Sequence, residues 1–95
     1  MSYSDWMPFN KENIEKSPQK PGVYFLGSEH ETIYIGASNN LQTRLKEQHA
    51  STDLCIKGTA SFCYHETLFP EAEEEKQLTA FQFEHGRLPT CNKLK

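Results

Sequence analysis

Two β-branched and aromatic runs, Val23-Tyr24-Phe25-Leu26 and Thr32-Ile33-Tyr34-Ile35, are joined by a short polar stretch, Gly27-Ser28-Glu29-His30-Glu31. Runs of this composition form strands, and so short a connection makes them antiparallel neighbours. A hairpin centred on Glu29 sets Tyr24 across from Tyr34, Val23 across from Ile35 and Phe25 across from Ile33. Side chains alternate along a strand, so Val23, Phe25, Ile33 and Ile35 then share one face and both tyrosines the other. One face supplies core and the other supplies phenols.

The flanking sequence frames this hairpin with helices. Ser17-Pro18-Gln19-Lys20-Pro21-Gly22 is a breaker cluster. Before it, Asn10 caps a short helix and Phe9 is placed to pack on Ile14. After Gly36, the polar caps Ser38, Asn39 and Asn40 precede a helix over 41–50, with Leu41 and Leu45 one turn apart and Arg44 and Gln48 bordering that apolar line. Ser51 to Gly58 reads as loop, and Ser61 to Thr67 alternates as a third strand. Pro70 opens a helix whose acidic start suits the helix dipole, and Gly86 stops it. Leu88 to Asn92 reads as a terminal loop or short strand.

Length and composition exclude several classes. A chain of 95 residues is one domain, too short for separate substrate and cofactor domains. No apolar run spans a bilayer, and the start Met1-Ser2-Tyr3-Ser4-Asp5 lacks the basic and apolar regions of a secretion signal, so a cytoplasmic location is expected. Cys55, Cys63 and Cys91 are odd in number and widely spaced, which predicts ordinary thiols rather than a disulfide framework. The net charge of −3 argues against holding nucleic acid by bulk electrostatics, unless Lys16, Lys20, Arg44, Lys46 and Arg87 gather at one place.

Helical bookkeeping on the last helix aligns Glu74 with Leu78, Phe81 and His85, with Glu71 beside them and Glu73 turned toward solvent. A carboxylate on an apolar stripe must be paired, hydrogen-bonded or bound to a cation. Glu74 is therefore the metal-ligand candidate, with Glu71 and Glu75 in reserve; the alternative is a charged helix start solvated by water. His30 and His65 show no ligand spacing, His85 complements the helix dipole, and His49 is held as a proton donor. Taken singly, Tyr24 and Tyr34 are ordinary strand tyrosines and Arg44 a surface cation. Together, two phenols and a guanidinium on one small surface are equipment for handling a phosphate.

Gly22-Val23-Tyr24, Tyr34-Ile35-Gly36, the segment from Asn39 to Glu47 that carries Arg44, and Pro89-Thr90-Cys91-Asn92 resemble the GIY-YIG endonuclease superfamily. The likeness is to its small stand-alone members and to the N-terminal nuclease domain of excision-repair endonucleases. It implies an α+β fold with a central three-stranded antiparallel sheet flanked by helices, over residues 21–95, leaving residues 1–20 as an N-terminal extension with a short helix. It also implies metal-dependent hydrolysis of a phosphodiester bond in DNA, as in DNA repair. On this resemblance Tyr24 is the general base or proton relay, Tyr34 bonds water or phosphate, and Arg44 stabilises phosphate charge. Glu74 holds one Mg²⁺ or Mn²⁺, while Gly36 and Asn92 border the substrate or brace the site. Several family members have a lysine where this chain has Ala37, and a His or Tyr where it has Gln48 followed by His49. The interval from Glu74 to Asn92 is longer than in the excision-repair members. These departures support an alternative, a catalytically silent module of the same fold that binds nucleic acid or a protein partner. In either case a partner protein is expected to supply specificity.

Overall fold

The computed structural model describes residues 3–29 and 31–92; the start Met1-Ser2 and His30 lie outside them. In chain order the elements are β1 (Met7–Pro8), α1 (Lys11–Glu15), β2 (Gly22–Gly27), β3 (Thr32–Ser38), α2 (Leu41–His49), α3 (Leu54–Lys57), β4 (Ser61–Glu66) and α4 (Pro70–His85). The fold is α+β, as expected, but the antiparallel sheet has four strands rather than three, in the order β1-β4-β2-β3. The added strand pairs Met7 with Phe62 and Pro8 with Ser61. Two residues carry no alternation to read, and proline, which cannot donate to a ladder, is tolerated at a sheet edge.

The hairpin forms in a register displaced by two from the expected one. Tyr24 faces Gly36, Phe25 faces Ile35 and Leu26 faces Tyr34, with an irregularity between Leu26 and Gly27 that takes up one residue of the displacement. An even displacement leaves the faces unchanged, so Tyr24 and Tyr34 still point the same way. Ile33, beside the irregularity, packs with the tyrosine-side cluster instead of the other face.

That cluster is the core. Ile14 of α1, Leu41 and Leu45 of α2 and Ile56 of α3 close over Tyr24, Leu26 and Phe62. The caps that start these helices were legible: the Asn10 side chain accepts from the Asn13 amide at 2.9 Å and that of Asn40 from Thr43 at 3.0 Å. The single turn of α3 falls within the expected loop. It starts where the Asp53 carboxylate accepts from the Cys55 amide at 2.9 Å.

The opposite face, with Val23, Phe25, Cys63 and His65, carries α4. Tyr3 fastens it there: its ring packs on Phe25 and His65 at centroid distances of 5.0 and 4.9 Å, and its hydroxyl donates to Glu73 at 3.0 Å. Glu73 is thus engaged rather than turned to solvent. Gly86 ends α4 with φ of 74°, a left-handed conformation that glycine adopts without penalty. No helix among the described residues is long and apolar enough to cross a membrane.

The cysteines depart from expectation. Cys55 and Cys91 form a disulfide across 36 residues, with Cα atoms 5.8 Å apart, and Cys63 stays a buried free thiol that burial pushes up to about 12. An odd count with no motif hides such a pair. The pairing depends on α3 and the C-terminal segment meeting in space.

Gly36 tests the packing of the core. A Cβ there would lie 2.5 Å from Cζ and the hydroxyl of Tyr24 and 2.8 Å from Cε2 of Tyr34. Gly36→Ala is expected to destabilise the fold by about 1–3 kcal/mol in denaturant titration. Gly58→Ala, where the nearest atom would be at an ordinary 3.5 Å, is expected to be close to neutral.

Candidate functional site

The inner stripe of α2 is Leu41, Leu45 and Gln48. Spacings of four and three residues keep them on one side of the helix, so Gln48 occupies a core position although it is polar. Its amide finds a partner in the Tyr24 hydroxyl, 2.8 Å away. Tyr24 is 0% exposed and its ring lies 6.0 Å from that of Tyr34, at 34°. The missing side chain at Gly36 lets the two rings approach.

Arg44 lies between Leu41 and Gln48 on α2 and so falls at the rim of that stripe. Burial works against its charge, but the Glu47 carboxylate at 3.0 Å and the Tyr24 and Tyr34 phenols raise its pKa further above the ordinary range. With the side chain 41% exposed, the guanidinium keeps donors toward solvent. It opens on a hollow of about 520 Å³ lined by Tyr34, Arg44, Gln48, Ser51, Asp53 and Cys91, among others. Glu47 is itself largely exposed, and an exposed ion pair is worth only about 0–1 kcal/mol. A phosphate oxyanion can displace it.

Tyr24, Tyr34 and Arg44 therefore converge, joined by Gln48. The other expected site residues are placed differently. His49 turns away and stacks edge-on against Phe9 at 5.2 Å. Asn92 accepts from the Ile35 amide at 2.9 Å and donates to the Ile35 carbonyl at 3.0 Å, so its carboxamide braces the outer edge of β3. Arg87 leaves the expected basic group for the hairpin tip, where it pairs with Glu31 at 2.9 Å, and Lys46 pairs with Glu15 at 3.3 Å.

Glu74 is half-buried on α4, and burial and then Glu71 raise its pKa, as expected of a carboxylate on a packed stripe. Yet α4 covers the sheet face opposite the tyrosines, and Glu74 does not line the hollow. The acids that do are Glu47, engaged with Arg44, and Asp53, which caps α3. No group of three His, Cys, Asp or Glu among the described residues converges as a metal cage. Both carboxylates at the hollow are already engaged by donors of the protein itself.

Tyr24 is also ill-suited to proton abstraction. Burial pushes its phenol up to about 12, although the Gln48 amide works in the other direction. Tyr34 is half-buried and reaches the hollow, so it is the phenol that can donate to a bound oxyanion. Gln48 was missed as a buried partner because its polarity masks its place on the inner stripe. The i, i+4, i+7 spacing from Leu41 was the available signal.

The architecture is that of the GIY-YIG endonuclease domain. The GIY-YIG N-terminal endonuclease domain of UvrC from Thermotoga maritima bound to magnesium superposes with a TM-score of 0.63 at 22% identity, over 88% of this chain and all of that one. A point mutant of that domain, bound to its catalytic divalent cation, superposes equally at 20% identity over 90% of this chain. Residues 2–87 match the family described as "Domain of unknown function (DUF7508)", and the chain belongs to it. No curated protein matches the chain in sequence.

The buried phenol gives a titration test. Tyr24→Phe is expected to remove one phenolate transition near pH 12 from the ultraviolet absorbance titration. With the folded pKa above the ordinary tyrosine value of 10.0, the protonated phenol's contribution to stability is intact below pH 10.0 and is lost as pH rises toward 12. Gln48→Leu takes the amide donor from the hydroxyl, leaving Arg44 as its neighbour, and is expected to cost about 0.5–1.5 kcal/mol in denaturant titration.

Proposed function

We propose that this chain is a DNA-binding module of GIY-YIG fold that seats a backbone phosphate at Arg44 and Tyr34 without cutting it. The carrying observation is the hydrogen bond from Gln48 to the fully buried Tyr24: the phenol that would act as base is sealed into the core, while Arg44 and Tyr34 still face an open hollow with room for a phosphate and its neighbours. The guanidinium presents two N–H groups to two phosphate oxygens, Tyr34 adds an O–H donor, and Gly36 serves by letting the two rings pack. Asn92 acts by bracing β3. On this reading the chain is a single unit acting in the cytoplasm, with a protein partner supplying specificity.

The second reading is a metal-dependent endonuclease of the DNA-repair type, favoured by the fold likeness to a domain crystallised with magnesium and by the raised pKa of Glu74. It requires Mg²⁺ or Mn²⁺ held at Glu74, with Glu71 or Glu75 in reserve, to act on the same phosphate as the hollow, and it leaves His49 to donate a proton.

Purified protein incubated with branched, nicked and single-stranded DNA, with and without Mg²⁺ or Mn²⁺, separates the two. Binding without cleavage is expected, weakened about tenfold or more by Arg44→Ala and unchanged by Glu74→Gln. Cleavage that needs the divalent ion and falls about a hundredfold or more in both variants would establish the second reading. DNA binding indifferent to Arg44→Ala would refute both.

A further inference from the structure

β3 is an edge strand of the sheet, and its outer side is covered by the C-terminal segment. The Cys91 amide donates to the Ile33 carbonyl at 2.7 Å, and the Asn92 carboxamide pairs with both polar groups of Ile35. These bonds lie on either side of Tyr34, whose ring forms one wall of the hollow. Pro89, fully buried, anchors the start of the segment. The remaining covalent tie is the Cys55–Cys91 disulfide, which joins the segment to α3, and α3 supplies Ile56 and its cap Asp53 to the same hollow. The wall of the hollow is thus closed by a bond that a thiol can open. Cys55 is half-buried and Cys91, though packed in the core cluster, borders the hollow, so a reductant reaches the bond at the Cys55 end; the free thiol of Cys63 is buried among β-strands.

We propose that Cys55–Cys91 is a reducible latch that sets how firmly residues 89–92 hold β3 and the Tyr34 wall, making this end of the molecule a site for a dithiol reductant. A thiolate of the reductant attacks one sulfur, a mixed disulfide forms, and the other cysteine leaves as a thiolate that takes up a proton. The reductant's second thiol then displaces the remaining cysteine, so two electrons and two protons pass to the chain and the reductant becomes a disulfide. In an oxidising compartment the latch stays closed, and in a reducing one it opens. Opened, the segment retains, among the described residues, the hydrogen bonds of Cys91 and Asn92 and the packing of Pro89 and Cys91. The proposal is independent of whether the hollow binds DNA.

Amide hydrogen exchange on the full chain, oxidised and after treatment with dithiothreitol, tests this, with free thiols counted in parallel. Reduction is expected to raise the thiol count by two and to speed exchange of the Ile35 and Cys91 amides about tenfold or more, while the Phe25 and Cys63 amides on the central strand pair stay slow. Cys91→Ser is expected to show the fast Ile35 exchange in either condition and no response to reductant. Three outcomes would overturn the latch: thiols that never appear in the folded protein, thiols that appear with Ile35 and Cys91 exchange unchanged, or a uniform acceleration of all amides, which would mark a global staple.

Discussion

The buried phenol of Tyr24 is the interaction on which the site depends. A hydroxyl with no exposure must find a partner or cost about 1–3 kcal/mol, and the Gln48 amide supplies one, with the Arg44 guanidinium close by. Placing Gln48 on the inner side of α2, in line with Leu41 and Leu45, fixes the rotation of that helix about its axis. Arg44 then falls at the margin of the buried stripe, where it faces the phenols and still reaches solvent. One hydrogen bond and the close approach at Gly36 together decide where the cation of this surface sits.

The hairpin, the two capped helices and the shared face of the two tyrosines were legible because each is set by local pattern. The tyrosines survived a wrong register for a geometric reason: the displacement was even, and only an odd one exchanges faces. Angular bookkeeping also recovered the half-buried stripe of Glu74, Leu78 and Phe81. Periodicity describes one element at a time, however, and it says nothing of which sheet face a helix covers. That choice rests on tertiary ties such as the ring of Tyr3 against Phe25 and His65, seventy residues from the Glu73 it bonds. The same limit hid β1, whose two residues pair with β4, and Cys55–Cys91, whose partners meet through the fold alone.

An edge strand exposes unpaired backbone groups, and this chain covers those of β3 without adding a strand. The carboxamide of Asn92 carries one donor and one acceptor in the geometry of a peptide, so a single side chain satisfies both groups of Ile35. That use explains why an asparagine stands there on structural grounds alone. It also joins the C-terminal segment to the strand that carries Tyr34.

The acidic balance of the chain bears on how such a hollow can work. The net charge is −3, and Arg44, Lys46 and Arg87 are each held by a carboxylate, so bulk attraction contributes little to drawing a polyanion in. Binding as proposed would come from fit at short range, a phosphate exchanging places with Glu47 at the Arg44 fork and gaining the Tyr34 hydroxyl. One or two phosphates seated in this way release few counterions, so the contact depends weakly on salt and carries little affinity of its own. A surface of that kind would discriminate by what brings the backbone to it, and a second binding surface, were another protein to supply one, would raise its effective concentration without any change at Arg44.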